Sequence, residues 1–513
     1  MTQPPPAGGK ALAEIIAERR RKAEALRQAG VAPWGVDFHP SLSCAEAAGR
    51  VPAEAGQLGE SASVAGRILG MRSSGGIAFA DCTDESGALQ LIATREQAEG
   101  ALVAQLEQLD LGDIVGAEGR LTRTRRGEPS LSLDRLIMLA KSLRPPAAKG
   151  KGFTDVEQRY RRRYLDLLSD PGQREIFHQR TRIIRALRQV LDGRGFLEVE
   201  TPMLQPVPGG GNARPFRTHH NSLDSEFFLR IAIELYLKRL LVGGFERVYE
   251  IGRTFRNEGL SPRHNPEFTL LEAYQAYANL DSMKELSQAL VAASAEAVLQ
   301  EGTLRFAGGE ISLQTPFPSK TMLDLVKEGT GIDFDELWDE PKHLAEEAAR
   351  RGVELPGPPS SGQALFAVYD QLVEPHLGGP VFVTDYPVEV SPLARLSPDP
   401  RFVERFELVV AGRELANAFS ELNDPIEQRR RLEDQARLRA EGDPEAQPFD
   451  QDFVEALEQG MPPAGGIGMG VDRLVMLLTG AKSIRDVLLF PTLRPQRGDE
   501  GETSSELPPT TSA

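Results

Sequence analysis

The chain contains 513 residues, of which 40% are hydrophobic and 26% are charged. A single hydrophobic core rarely extends over so many residues, so we expect more than one domain. No apolar run reaches the length of a transmembrane helix, which predicts a protein without a membrane partner. The formal net charge of −16 excludes a uniformly basic nucleic-acid binder. Binding of nucleic acid needs only a local basic surface, however.

The N-terminal region is predicted to form a tail and a helical extension over residues 1–60. Residues 1–9 are rich in Pro and Gly and are predicted to be disordered, and an apolar stripe predicts a helix from Ala11 to Gln28. The basic face of this helix would either contact RNA or face water while the helix packs on the next domain. Cys44 and Cys82 follow no metal-binding pattern, so we expect free thiols in a cytoplasmic protein.

Residues 61–143 contain five short alternating segments and one helical insert, Arg95 to Leu109. This pattern is typical of an OB-fold barrel, which binds single-stranded nucleic acid by stacking bases on exposed aromatic rings. Phe79, taken alone, would be interpreted as a core residue. A linker rich in basic residues follows at 144–172.

The stretch Phe245 to Tyr277 predicts an antiparallel hairpin, with strands at 245–255 and 268–277. Its loop carries Arg256, Glu258, Arg263 and His264, and guanidinium groups suit phosphate. The two-residue period of the returning strand places one set of side chains on a common face: Phe268, Leu270, Glu272 and Tyr274. An ordinary hairpin with a solvated loop would explain any single residue here, but the whole string predicts a nucleotide site beside a cationic-substrate site.

Residues 402–421 predict a second hairpin that turns near Ala411 and Gly412. It would bring Glu407 and Glu414 together, and two close carboxylates favour a divalent cation such as Mg²⁺ between them. The second strand places Asn417, Phe419 and Glu421 on one face. A buried Glu421 would bind an ammonium group well and would discriminate against neutral or acidic side chains.

Residues 462–474 predict a strand that leads into a helix. Gly466, Gly468 and Gly470 alternate, which leaves one strand face bare for a flat ligand, and Asp472 and Arg473 open the helix. Glycine alternation alone is weak evidence for a nucleotide site.

The central hairpin, FRNEG followed by RHNPEF, resembles motif 2 of the class II aminoacyl-tRNA synthetases. The helix at 173–193 with the strand Phe196 to Pro202 resembles motif 1, and the glycine strand with its helix resembles motif 3. The resemblance implies that Arg256 binds the ATP α-phosphate and Arg473 the γ-phosphate. It also implies adenine stacking on Phe268, a bent ATP held by Glu258 and His264, Glu407 as an ATP-binding residue, and a homodimer through motif 1.

The segments VAGRI, AFAD and GALQL resemble the anticodon-binding barrel of class IIb synthetases. This implies that Phe79 reads the anticodon rather than filling the core. The implied tRNA-contacting residues are Arg67, Arg72, Phe79, Gln90 and Glu128. A position that is often Lys in the family is Gly75-Gly76 here.

The linker segment TDVEQRYRRRYLDLL resembles that of bacterial lysyl-tRNA synthetases. The implied lysine-binding residues are Gly210, Glu234, Glu272, Tyr274, Asn417, Phe419 and Glu421. Three acids and no base in this set favour lysine over aspartate or asparagine as the substrate. Two positions depart from the family pattern: Ile233 stands where Pro is usual, and Gly211 where Ala is commoner.

The expected protein is therefore an α+β, ATP- and Mg²⁺-dependent lysine–tRNA ligase, with L-lysine, ATP and tRNA(Lys) as partners. The resemblance implies an OB-fold domain at 61–143 and a catalytic domain at 173–495, whose antiparallel sheet is flanked by helices. A helical insertion at about 315–380 and a disordered acidic tail at 496–513 complete the prediction. Two alternatives stay open: a ligase that lysylates a protein, whose known relatives lack the barrel, and a non-catalytic RNA-binding paralogue.

Overall fold

The computed structural model describes residues 9–74, 76–96, 101–146, 155–299, 303–306, 309–355, 359–442 and 446–496. The chain divides into two compact units, Met1–Pro171 and Gly172–Ala513. Most of the predicted N-terminal tail, Gly75 and nearly all of the predicted acidic tail lie outside the described residues. Gly9, which the sequence places in the tail, begins the first helix. No helix in the described ranges is both long and apolar enough to span a membrane.

A closed five-stranded barrel forms the centre of the first unit. Its strands are β1 (Leu58–Ser74), β2 (Ile77–Thr83), β3 (Ala88–Thr94), β4 (Ile114–Arg123) and β5 (Pro129–Ala140). They pair in the order β1-β2-β3-β5-β4, which confirms the OB-fold prediction. The helices are α1 (Gly9–Gln28), α2 (Cys44–Gly49), α3 (Ala101–Gln108), α4 (Val156–Arg161) and α5 (Arg163–Ser169).

Part of the basic side of α1 packs on the barrel. The buried Arg19 guanidinium donates to the carbonyl oxygens of Leu111 and Ser142, and Lys22 Nζ lies 2.8 Å from Asp110 Oδ1. Arg20 and Arg21 are exposed. Of the two alternatives for this helix, the structure therefore supports packing, and contact of the helix with RNA stays a prediction.

An eight-stranded sheet organises the second unit. The strands of this unit are β6 (Leu197–Glu198), β7 (Leu204–Gln205), β8 (Arg217–His220), β9 (Ser225–Leu229), β10 (Arg247–Phe255), β11 (Glu267–Ala276), β12 (Thr303–Phe306), β13 (Gly309–Ser312), β14 (Ser319–Thr321), β15 (Val381–Pro387), β16 (Phe402–Val409), β17 (Glu414–Ser420) and β18 (Ala464–Gly470). The sheet has the order β14-β15-β16-β17-β18-β11-β10-β6. All its pairs are antiparallel except β14 with β15 and β10 with β6. The predicted α+β fold with a helix-flanked antiparallel sheet is confirmed.

Nine helices are described around the strands of this unit: α6 (Pro171–Gly193), α7 (Glu234–Val242), α8 (Leu280–Glu296), α9 (Met322–Thr330), α10 (Pro341–Arg350), α11 (Ser361–Val368), α12 (Pro425–Ala440), α13 (Gln451–Glu458) and α14 (Val471–Thr479). Buried Leu187 of α6, Leu290 of α8 and Val475 of α14 pack in one hydrophobic cluster with Leu271 of β11. This packing fixes β11 and its neighbours as the rigid floor of the site.

Two predicted elements differ from the structure. The predicted strand Phe196 to Pro202 is reduced to Leu197–Glu198, because only these residues pair with β10. The predicted helix Gln363 to Val373 ends as an α-helix at Val368 and continues as one π-turn, Tyr369–Val373.

Candidate active site

A cavity of about 210 Å³ lies on the sheet of the second unit, over β11, β17 and β18. Most of the predicted nucleotide, amino-acid and metal residues line it: Gly210, Glu234, Arg256, Glu258, His264, Phe268, Glu272, Tyr274, Glu414, Asn417, Phe419 and Arg473. The two-residue period of β11 brings Phe268, Glu272 and Tyr274 to the cavity, and that of β17 brings Asn417 and Phe419. Glu407 and Glu421 are not among the residues that line the cavity. Both are buried in its immediate surroundings.

The bare face of β18 forms part of the cavity through Gly466, Gly468 and Gly470. A Cβ atom on Gly466 would lie 2.1 Å from Glu421 Oε1 and 2.4 Å from Tyr274 Cε1, so the side chains opposite require glycine there. A Cβ atom on Gly468 would have 3.8 Å to its nearest neighbour, Glu272 Cγ. The space above Gly468 is therefore open to a ligand.

Arginine side chains make part of the cavity cationic. The Arg256 guanidinium lies 5.2 Å from the centre of the Phe268 ring, and its buried Nε has no hydrogen-bond partner among the described residues. Arg473 Nη1 donates to the backbone oxygen and to Oε2 of Glu414, both at 2.9 Å. A buried guanidinium nitrogen without an acceptor is a suitable donor to an anionic ligand.

His264 lies beside these arginines, with Nδ1 2.9 Å from Ser261 Oγ. Burial and the charge of Arg473 lower its pKa below the ordinary value. The imidazole is therefore neutral at pH 7. It can donate one hydrogen bond to a nucleotide or accept one from it.

Asp472 fixes the start of α14 relative to the sheet. Its Oδ2 accepts from the backbone N–H of Thr269 at 2.7 Å, and its Oδ1 accepts from Arg180 Nη1 of α6 at 2.5 Å. The neighbouring Arg473 is thereby positioned from two directions. Asp472 carries no predicted role of its own, although an acid at a helix N-terminus is a recognisable signal.

Glu407 and Glu414 occupy the adjoining strands β16 and β17. Burial first, and then the charge of Glu414, raise the pKa of Glu407 to about 7. Burial raises the pKa of Glu414, but Arg473 together with Arg405 and Arg256 outweighs it, and the pKa is lowered overall. The two carboxylates, one buried on Glu407 and one partly exposed on Glu414, fit Mg²⁺, which uses one or two carboxylates together with phosphate oxygens. The described residues contain no cluster of three or more metal-ligating side chains.

Arg405 links this acidic pair to the floor of the cavity, a contact that the sequence did not predict. Its guanidinium donates to Glu407 Oε1 at 2.6 Å and to Asn417 Oδ1 at 3.0 Å. It also stacks 4.3 Å from the centre of the Tyr386 ring. Arg405 therefore holds a predicted metal ligand and a predicted lysine-binding amide in one geometry.

Glu272 accepts two hydrogen bonds at the acidic end of the cavity. Its Oε1 accepts from the backbone N–H of Ile233 at 3.0 Å, and its Oε2 accepts from the Tyr274 hydroxyl at 3.1 Å. Burial, with a contribution from Glu234, raises the pKa of Glu272 to about 7. The Ile233 contact depends on a departure from the family pattern, because the proline that is usual at this position has no N–H to donate.

The predicted set of lysine-binding residues contains no base, but a buried base contacts two of its members. Lys238 of α7 is fully buried, and its Nζ lies 2.6 Å from Glu234 Oε1 and 2.5 Å from Glu421 Oε2. Burial raises the pKa of Glu421 to about 8 although Lys238 opposes the shift. The i,i+4 spacing of Glu234 and Lys238 on a helix was a sequence signal for the first of these contacts.

The residues predicted to bind the anticodon lie in the first unit. Strand register places Arg67, Arg72, Phe79 and Gln90 on the barrel face opposite the core. The Arg72 guanidinium lies 5.0 Å from the centre of the half-buried Phe79 ring. Gln90 is 5% exposed and accepts from Ser130 Oγ at 3.3 Å, whereas Glu128 is exposed beside β5.

The family of the chain follows from comparison with known proteins. A family profile described as tRNA synthetases class II (D, K and N) matches residues 155–494. A second profile, an OB-fold nucleic acid binding domain, matches residues 62–139. The first match covers more than half of the chain, and the chain therefore belongs to the class II tRNA synthetases of the D, K and N group.

Relatives within this family specify the resemblance further. The lysine–tRNA ligase of Moorella thermoacetica is 50% identical over 488 residues, which cover 94% of this chain and 98% of that protein. That of Carboxydothermus hydrogenoformans is 48% identical over 486 residues, 94% of this chain and 99% of that protein. That of Syntrophomonas wolfei is 47% identical over 490 residues, 95% and 98% of the two chains. The predicted resemblance to lysyl-tRNA synthetases and the predicted ligase class are thereby confirmed.

Proposed function

We propose that this chain activates L-lysine with ATP and transfers the lysyl group to the 3′ end of tRNA(Lys). The observation that carries the proposal is the chemistry of the cavity. The buried carboxylates of Glu272 and Glu421 suit the ammonium groups of lysine, and the guanidinium groups of Arg256 and Arg473 suit a triphosphate. An aspartate site would need cations facing the substrate side chain, and Lys238, the base that contacts the predicted lysine-binding acids, is already bound by two of them.

In the proposed first step, an oxygen of the lysine α-carboxylate attacks the α-phosphorus of ATP in line. The bond from this phosphorus to the oxygen that bridges the α- and β-phosphates breaks, that oxygen leaves with pyrophosphate, and lysyl-adenylate forms. No side chain has to act as nucleophile or general base, so catalysis consists of positioning and charge stabilisation. Arg256 would bind the α-phosphate and Arg473 the γ-phosphate.

The other nucleotide contacts follow the same assignment. Phe268 would stack on adenine, while Glu258 and His264 would hold the bent ATP. Glu407 and Glu414 would hold Mg²⁺, and Glu407 would also serve the ATP site. Bound Mg²⁺ supplies neutralisation of the phosphate charge. Arg473, which is paired with Glu414 in the structure, would exchange part of that contact for phosphate.

The amino-acid contacts fill the acidic end of the cavity. Glu421 and Tyr274 would bind the ε-ammonium group, and Glu234 and Glu272 would lie near the α-amino group. Gly210, Asn417 and Phe419 would complete the pocket. Gly210 has a φ of +83°, which permits close approach of its backbone to a ligand.

In the second step, a hydroxyl of the tRNA 3′-terminal ribose attacks the carbonyl carbon of the adenylate, and AMP leaves. Arg67, Arg72, Phe79, Gln90 and Glu128 would read the anticodon from the first unit. We also propose a cytoplasmic homodimer that forms through motif 1. Leu197 and Met203 there are large apolar side chains that are 49% and 47% exposed in the single chain, which supports a partner surface.

Amino-acid-dependent ATP–pyrophosphate exchange, measured with each of the twenty amino acids and without tRNA, tests the proposal. We expect exchange with lysine alone. Exchange with aspartate or asparagine would keep the class and overturn the pocket assignment. Absence of exchange with every amino acid would point to the non-catalytic RNA-binding alternative, and lysylation of a protein but not of tRNA would point to the other alternative.

A further inference from the structure

Lys238 is a buried cation that the proposed reaction leaves without a role. Its side chain is 0% exposed, and its ammonium group contacts one oxygen of Glu234 and one of Glu421. It also lies 5.3 Å from the centre of the Phe419 ring. All three partners belong to the proposed lysine pocket. Burial of an ammonium group is unfavourable unless the group is fully paired. The position of Lys238 among proposed substrate-binding residues therefore points to a function in substrate binding.

We propose that Lys238 is a specificity-determining residue, which sets the charge of the pocket to match the two ammonium groups of the substrate. The inference rests on the proposed lysine activation. In the lysine-bound state, in which Glu234, Glu272 and Glu421 are all ionised, the three carboxylates carry three negative charges, and Lys238 compensates one of them. The remaining charge of −2 equals the charge that the α- and ε-ammonium groups of lysine bring in.

The geometry of Glu421 supports the same role. Lys238 contacts Oε2, while Oε1 faces the site of the absent Gly466 side chain and the Tyr274 ring. Neither oxygen of the buried Glu421 carboxylate has a hydrogen bond of good geometry with the described residues, but Lys238 Nζ lies within ion-pair distance of Oε2. Lys238 therefore contacts one oxygen of the carboxylate and leaves Oε1 for a ligand donor.

The charged state of Lys238 agrees with this arrangement. Burial opposes protonation, but Glu234 and Glu421 together raise the pKa of Lys238 above its ordinary value. The other titratable groups of this cluster are Glu272 and Tyr274, and Arg230 acts on Glu272 from a greater distance. Without Lys238, three buried carboxylates would face one another without a cation in contact, and one of them would take up a proton.

The test replaces Lys238 with Met and measures lysine and ATP separately in the exchange reaction, with lysine affinity also measured by calorimetry. We expect the lysine KM and Kd at pH 7 to rise by about tenfold or more, because the protonated carboxyl no longer binds an ammonium group. We expect the ATP KM to stay within about twofold, and the loss in lysine affinity to shrink as pH rises from 7 to 9.

Lys141 offers a matched control in the barrel. Its side chain is 1% exposed, and its Nζ lies 2.5 Å from Asp110 Oδ2 and 2.7 Å from Asp113 Oδ2. Lys141→Met also removes a buried lysine from between two acids, so it should lower the melting temperature without changing the lysine KM. The double variant Lys238→Met with Glu234→Gln restores the pocket charge of −2 and should recover part of the lysine affinity at pH 7.

Two results would overturn the inference. One is a folded Lys238→Met protein with an unchanged lysine Kd, and the other is a parallel rise of the lysine and ATP KM values. If Lys238→Met does not fold, Lys238→Arg keeps the charge and should keep the wild-type pH dependence of lysine binding; a shifted dependence would contradict the role. Failure of the proposed function is distinguishable, because the wild-type protein would then show no lysine-dependent exchange.

Discussion

At the scale of single residues, Glu421 is the side chain on which we expect substrate choice to depend most. It is 1% exposed, and among the described residues only Lys238 compensates its charge by direct contact. A substrate ammonium group bound to Oε1 would complete its pairing. Loss of one partner of such a buried charge pair costs about 2–5 kcal/mol, far more than an exposed pair contributes.

Glu421→Gln should therefore raise the lysine KM by about thirtyfold or more and leave the ATP KM nearly unchanged. Separate titrations of the two substrates in the exchange reaction measure this. Glu455→Gln, an exposed change on α13, is the control and should change neither value. Equal effects of Glu421→Gln on both substrates would remove Glu421 from the lysine site.

Lysine binding should strengthen with pH. Burial raises the pKa of Glu272 to about 7 and that of Glu421 to about 8. Both groups are thus largely protonated in the free protein at pH 6, and lysine has to displace those protons because it binds the ionised forms. We expect the lysine Kd to fall between pH 6 and 8.5, by up to about tenfold per pH unit for each proton displaced. Calorimetry at several pH values measures this, and a constant Kd would contradict it.

Ile233 provides a test that is particular to this chain. Its N–H donates to Glu272 Oε1, so Ile233→Pro leaves that oxygen without its donor and should raise the pKa of Glu272 further. The protein should still fold, since proline is usual here in the family that the sequence resembles. We expect the pH midpoint for lysine binding to move upward, while Ile233→Val, which keeps the N–H, should leave it in place. Identical pH profiles for the two variants would show that the contact has no effect on binding.

At the scale of elements, we expect two glycines of β18 to have different functions: Gly466 makes room for protein side chains, and Gly468 makes room for a ligand. Gly466→Ala places a Cβ against Glu421 and Tyr274, so we expect a lower melting temperature and a higher lysine KM. Gly468→Ala meets no protein atom closer than 3.8 Å, so the free protein should keep its stability. If ligand lies on this face, the KM of a substrate should still rise. Thermal unfolding with and without ligands measures both effects, and a Gly468→Ala protein with wild-type kinetics would place the ligand elsewhere.

At the scale of the whole molecule, the reaction divides between the two units. Phe79→Ala in the barrel should raise the tRNA KM in aminoacylation, since base–aromatic stacking contributes about 1–3 kcal/mol. Exchange without tRNA should be unaffected, because the proposed residues for lysine and ATP all lie in the second unit. Phe227→Ala, a change at a half-exposed aromatic residue outside the barrel, is the comparison for nonspecific effects. A parallel loss of exchange in Phe79→Ala would indicate a folding defect.

The sequence by itself determined the elements and their order. The two hairpins, the glycine strand and the barrel strands each carry a pattern with a period of two residues, and such patterns depend on neighbours that are close in the chain. The same period placed Phe268, Glu272 and Tyr274 on one face, and the structure has all three lining the cavity. Motif resemblance then supplied the roles, which remain predictions for the individual residues.

Only the tertiary structure decided which side chains from distant parts of the chain form ion pairs and hydrogen bonds with one another. Helix spacing could relate Glu234 to Lys238, but Glu421 reaches the same ammonium group from the segment that follows β17. The contacts of Arg405 with Asn417, of Asp472 with Arg180 and of Ile233 with Glu272 likewise join separate elements. Burial, which raises the pKa values of the pocket acids, is a property of the packed sheet as a whole. For that reason the sequence indicated an acidic pocket without a base, and the folded chain has a buried lysine within it.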